Sequence, residues 1–158
     1  METSIMSYSD LYKQLIDQAP DAIIFADKDG LIRVWNGAAE RIFGFLSAEA
    51  MGASLDIIIP ESFRAAHWQG FQRAIKEKTE KYAGKVLPTK AIRADGSQIY
   101  VELSFSLLFN ANKMVIGAIA HAREVTERFN KEKMLKKRLQ ELEKGLTASI
   151  CKDASQLS

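Results

Sequence analysis

The chain has 158 residues, the size of one domain, with 47% apolar and 27% charged residues and a formal net charge of +2. That balance excludes a disordered chain and lacks the basic excess that marks a nucleic-acid binder. A single cysteine, Cys151, excludes an intrachain disulfide framework and a multi-cysteine zinc site. Residues 1–10 have neither the basic start nor the apolar centre of a signal peptide, and no apolar run approaches the ~20 residues needed to span a bilayer. The expected location is the cytoplasm, away from membranes.

The elements follow in chain order. Ser9-Asp10 caps a short helix with apolar positions Leu11, Tyr12, Leu15 and Ile16, ended by Pro20. Ala22 to Ala26 reads as a buried strand, Asp27-Lys28-Asp29-Gly30 as a turn, and Leu31 to Trp35 as the second strand of a hairpin. From Asn36 the period becomes helical through Ala38, Ala39, Ile42 and Phe43, and Gly44 stops it. A further helical turn begins at Ser47 and ends at Gly52. After the apolar run Leu55 to Ile59, Pro60-Glu61 opens a longer helix to about Lys78. Three strands complete the domain: 83–92, 97–108 and 114–122, separated by turns at Ala94-Asp95-Gly96 and Asn110 to Lys113. The order is two strands, several short helices and then three antiparallel strands.

From Glu124 to Leu146 the pattern is different. Val125, Glu132, Leu139 and Leu146 are seven apart, and Leu135 and Leu142 take the complementary heptad position among charged and amide side chains. A lone helix of this kind has little stability in water, so a parallel homodimeric coiled coil is expected. Folding the leucines back onto the chain's own domain is the other way to cover them. The expected organisation is a cap helix (1–20), a domain (21–126), a dimerising helix (127–146) and a frayed tail (147–158).

Four stretches resemble the PAS family in this order. They are Ala19 to Ile23, Trp35-Asn36-Gly37-Ala38-Ala39-Glu40-Arg41-Ile42-Phe43-Gly44-Phe45, Arg93-Ala94-Asp95-Gly96-Ser97, and Gly117 through Glu124-Val125-Thr126-Glu127-Arg128. The resemblance covers residues 11–128. It implies an α+β sensory domain, a five-stranded antiparallel sheet with helices on one face that together enclose one cavity, whose signal leaves through a C-terminal helix. Glu124 stands where the family usually has Asp, which puts the usual partner of that carboxylate in question.

One face carries candidate chemistry. Phe63, His67, Phe71 and Ala74 fall at i, i+4, i+8 and i+11 of the helix after Pro60, with Ile75 beside them. This face is expected to turn inward and take His67 into an apolar cavity, where an imidazole suits the axial position of haem iron. Residues 59–67 are similar to the corresponding helix of the oxygen-sensing haem PAS kinases, which implies His67 as axial ligand. The same alignment implies Arg73 near the haem propionates, with Arg64 and Lys81 as other basic candidates. Where those sensors carry a distal arginine, this chain has Leu87, which implies an apolar distal wall with Leu103 and Phe105, suited to nitric oxide or carbon monoxide. Met114 and Met51 are the sixth-ligand candidates, and His121 is expected to be structural or at the surface. A structural reading of His67, as a hydrogen-bonded core residue, stands beside the metal reading.

Covalent flavin photochemistry needs a cysteine in a helix beside the ring, and Cys151 lies in the tail. Non-covalent flavin binding would use Trp35 or Trp68 as a stacking partner. No phosphate loop, nucleophile elbow or zinc-protease motif is present, so no enzyme activity is expected. Three functions remain open: a sensor with a small ligand or cofactor, haem b being the candidate; a ligand-free dimerisation and docking module packed shut by Phe25, Phe43, Phe63, Phe71 and Phe105; and a flavin or organic-ligand binder. A sensor also requires a downstream signalling protein or an effector domain on a longer chain.

Overall fold

In the first strand Ala22, Ile24 and Ala26 are buried and alternate with half-buried residues, so one face of the strand points into a core. The computed structural model describes residues 7–79 and 86–155, apart from the side chains of Leu87 and residues 148–155. Strand β1 (Ala22–Asp27) pairs antiparallel with β2 (Ile32–Trp35). The chain then forms helices α2 (Gly37–Phe43) and α3 (Ser47–Ala50), a 3-10 turn (Leu55–Ile57) and helix α4 (Glu61–Glu77). Strands β3 (Leu87–Ile92), β4 (Gln98–Phe109) and β5 (Val115–Glu124) complete a five-stranded antiparallel sheet of order β2-β1-β5-β4-β3. Of the expected third strand, 83–92, Leu87–Ile92 is strand, and residues 83–85 lie outside the described ones. Ile58 and Ile59 follow the 3-10 turn, and the Ile58 carbonyl accepts the Ile92 N–H at 3.0 Å.

Helix α1 (Tyr8–Asp17) starts earlier than the sequence suggested. Ser7, not Ser9, is its cap: the Ser7 hydroxyl accepts the Asp10 N–H at 3.1 Å. Helix α2 is capped at both ends as its residues dictate. Asn36 accepts the Ala39 N–H at its start, and Gly44, at φ 77°, ends it in the left-handed conformation that favours glycine.

Asn36 is 1% exposed and fully satisfied. Its Oδ1 also accepts the Ile23 N–H at 2.9 Å, while Nδ2 donates to the Ile16 and Asp21 carbonyls at 2.9 and 3.1 Å. One amide thus joins the end of α1, the start of β1 and the start of α2. The main core lies beside it, with Ile24, Trp35, Phe43, Ile99 and Val101 buried. Ala38 and Ala39 are also buried, the small side chains that let α2 lie close to the sheet.

The exit motif keeps a partner despite its longer acid. Arg93 Nη2 donates to both Glu124 carboxylate oxygens at 2.7 Å, and its Nε donates to the Ile42 carbonyl at 2.8 Å. This ion pair joins the β3–β4 turn to the end of β5.

Residues up to Glu124 and those from Val125 onward are two separate compact units. The second is helix α5 (Thr126–Ser155), which takes in residues 147–155 that the sequence reading assigned to a tail. Leu135, Leu139, Leu142 and Leu146 are exposed along it. Arg128 and Glu132, the charges that interrupt the first heptad, pair at 3.8 Å, and Lys131 pairs with Glu127 at 2.6 Å. Among the described residues no helix is long and apolar enough to cross a membrane.

Candidate functional site

Small residues face one another across the space between α4 and the sheet. Ala66, Gly70 and Ala74 recur at four-residue spacing on the helix, while Ala26, Ala118 and Ala120 present short side chains from β1 and β5. Opposed short side chains leave volume that longer ones would fill, and the result is a cavity of about 410 Å³. That size falls within the ~300–1,000 Å³ of small-molecule sites. Leu103, Phe105 and Leu107 wall it from β4, and Ile24 of β1 and Leu55 of the 3-10 turn line it too. Arg73, Glu77 and Thr79 line it as well and are exposed, so they stand at its mouth.

His67 lies in this wall. Its Nδ1 is buried and has no hydrogen-bond partner. Phe71 stacks near it, with ring centroids 6.0 Å apart and 28° between planes. Burial pushes the imidazole below its usual 6.5, partly offset by the carboxylate of Asp56.

The sign of this shift fixes a pH dependence. The unfolded chain takes up the His67 proton more readily than the folded one, so stability is present above 6.5 and is lost as pH falls through the lowered folded value. Asp21, held below 3.8 by its hydrogen bond to Arg123, and Asp27 act only in more acidic solution. Denaturant midpoints of the ligand-free chain are therefore expected to drop as the pH falls through and below 6.5. The drop should be smaller in His67→Leu, and equal drops in both proteins would show that burial of His67 is not its source.

The predicted site residues divide. The structure brings His67, Phe71, Arg73, Leu103 and Phe105 together around the cavity. Phe63 does not belong there: it is 46% exposed, in the first turn of α4, and the lining begins one turn later at Ala66. The Leu87 backbone pairs with Leu103, but its side chain, like Lys81, lies outside the described residues. Arg64 turns away to the Asp56 and Ile59 carbonyls. Met51 and Met114 are exposed and not in the lining, which removes them as sixth ligands. His121 sits exposed on the opposite face of the sheet, beside Asp21 and Arg123.

Neither flavin-stacking candidate faces the cavity. Trp35 is buried in the main core, donating to the Phe45 carbonyl at 3.0 Å with Phe43 5.4 Å away. Trp68 lies against Gly30 and donates to Asp56. Phe25 alternates with Ile24 and Ala26 and so points to the other face of the sheet. With Phe63 exposed as well, two of the rings expected to fill the interior are elsewhere.

Ala66, Gly70, Ala118 and Ala120 were missed from the sequence. Their signal was a run of small residues at helical spacing in one segment and at spacing two in another, and its meaning depends on the two faces meeting. Among the described residues no cluster of three or more His, Cys, Asp or Glu side chains could hold a bare metal ion. A single imidazole in an apolar wall suits instead a metal that arrives with its own in-plane donors. A haem would find here a nitrogen donor in His67 for its iron and, in Arg73 at the mouth, a partner for a carboxylate.

The model of the PAS fold family matches residues 10–125. The chain belongs to the PAS family. Among curated proteins it is similar to the sensor protein FixL of Bradyrhizobium diazoefficiens, at 28% identity over 134 residues, and to an uncharacterized protein of Azorhizobium caulinodans, at 29% over 126. The alignments take in 85% and 79% of this chain but only 25% and 17% of those relatives' lengths. Among solved structures it is similar to a PAS domain from Colwellia psychrerythraea, with a TM-score of 0.67 at 18% identity, covering 77% of this chain and 99% of that one. An RNA-binding light-oxygen-voltage receptor gives a TM-score of 0.68 at 22% identity, over 89% of this chain and 40% of that one. At these identities the likeness is one of fold.

Proposed function

We propose that this PAS domain is a sensory, non-enzymatic module whose cavity binds a small ligand or cofactor, with haem b as the occupant that His67 favours. The observation that carries this reading is the cavity itself: opposed small residues leave about 410 Å³, with the His67 imidazole in its lining. Its likeness to a protein named a sensor, over one quarter of that protein's length, supports a sensory role within a larger system. His67 would hold the iron, Arg73 would pair with a propionate at the mouth, and Leu103, Phe105 and Leu107 would exclude water. Bound haem supplies an open coordination position or a redox change that responds to a small molecule. An absorption titration of the chain with haem, beside His67→Ala, tests the reading; a saturable band indifferent to His67 would overturn it.

The output in this reading passes through α5 as a parallel homodimer in the cytoplasm, toward a signalling partner or an effector domain. The exposed leucines at heptad spacing support it, since pairing two such helices covers them. Leu139→Glu with Leu142→Glu is expected to turn a dimer into a monomer in sedimentation by placing charges across that seam. An unchanged mass would reject the coiled coil.

A further inference from the structure

Histidines that bind metals are normally oriented by a hydrogen bond from their second ring nitrogen to a carboxylate or carbonyl. With Nε2 as the nitrogen that meets a metal, His67 would lack one, because Nδ1 is buried without a partner. The nearby carboxylate, Asp56, is engaged elsewhere: its Oδ1 accepts Trp68 Nε1–H at 2.9 Å and lies 3.8 Å from Arg64 Nε. Rings surround the imidazole instead. Trp68 meets it edge-on, with centroids 5.0 Å apart at 79°, and Trp68 also meets Phe71 edge-on at 5.5 Å.

Trp68 is itself fixed from two further sides. It follows His67 by one residue, so on α4 it points about 100° away, to the flank of the cavity. There its ring lies against Gly30 in the β1–β2 turn, where a Cβ would overlap it. Gly30 sits at φ +80°, so this position is doubly suited to glycine. Arg64 pins the same stretch of α4 by donating to the Asp56 and Ile59 carbonyls at 3.1 and 3.2 Å.

We propose that Trp68 is the positioning residue of the site: anchored by Asp56 and Gly30, its ring holds the His67 imidazole in one orientation, in place of the missing hydrogen bond. This rests on the reading of His67 as the ligand-bearing residue, and the test separates the two. The ring signals of His67 are followed by ¹H–¹⁵N spectroscopy in the unloaded chain and in Trp68→Phe, and both proteins are then titrated with haem. The parent is expected to show one ring orientation and one tautomer. In Trp68→Phe the signals should average, and haem affinity should fall at least about tenfold, the lower end of what loss of an orienting partner costs. If Trp68→Phe does not fold, Asp56→Ala keeps the indole but removes its anchor, and the same averaging is expected. Unchanged ring signals in a folded variant would overturn the proposal. Averaged signals in the variant, with no haem uptake by the parent, would support the positioning role while overturning haem as the ligand.

Discussion

Haem added to the parent chain is expected to give a sharp Soret band that saturates at one haem per chain, and His67→Ala is expected to lose it. The argument runs from the donors. A macrocycle lodged in an apolar cavity gains from burial alone, so some non-specific uptake by the variant is expected. What the variant cannot supply is the axial nitrogen. Met51 and Met114 are exposed away from the cavity and His121 is on the other face of the sheet. Loss of an orienting group around a metal already costs 10–100-fold in affinity, so loss of the ligand itself should weaken binding by at least about 100-fold. Free imidazole should restore the band in a His67→Gly variant, because it can enter the space the side chain vacates. No saturable band, or one indifferent to His67, would return His67 to the wall of the cavity and leave an organic-ligand sensor or a docking module as the reading.

Asn36→Ala is expected to be the most damaging single change in the scaffold. It removes the cap of α2, a loss of about 1 kcal/mol. It also strips the Ile23 N–H and the Ile16 and Asp21 carbonyls of their partners, and a buried polar group left unmade costs about 1–3 kcal/mol. Together these give a loss of at least about 4 kcal/mol, on the order of 10 °C in the unfolding midpoint for a domain of this size. Thermal unfolding followed by circular dichroism measures it. Asn36→Asp is the informative control. It keeps the acceptor for Ile23 and Ala39 but faces a carboxylate toward two carbonyls, so at neutral pH it should be at least as unstable as the alanine variant. A midpoint within about 2 °C of the parent in Asn36→Ala would mean that the four bonds are replaced by water at little cost.

The PAS fold was legible in the residues because its markers act locally. Asn36 caps a helix from three residues away, Gly44 adopts the left-handed conformation that ends it, and the Asp-Gly turns close hairpins between neighbouring strands. Such signals need only a few consecutive residues, so spacing along the chain carries them. The inward turn of His67 was legible for a related reason, since helical periodicity assigns faces.

What periodicity cannot assign is what a face meets. Phe63 shares the face of His67, yet it lies in the turn of α4 that precedes the cavity and remains exposed. Phe25 was counted as filling and points to the opposite side of the sheet, because the register of β1 gives Ile24 and Ala26 the inner positions. The cavity exists because Ala118 and Ala120 stand opposite Gly70 and Ala74, residues more than forty positions apart in the chain. The anchoring of Trp68 by Asp56 and Gly30 is likewise a product of three elements meeting. The sequence by itself determined the elements of the fold, the two caps of α2 and the inward histidine, each marked by patterns of a few residues. The volume beside that histidine, and the rings that hold it, were decided by packing between distant segments, which no local pattern encodes.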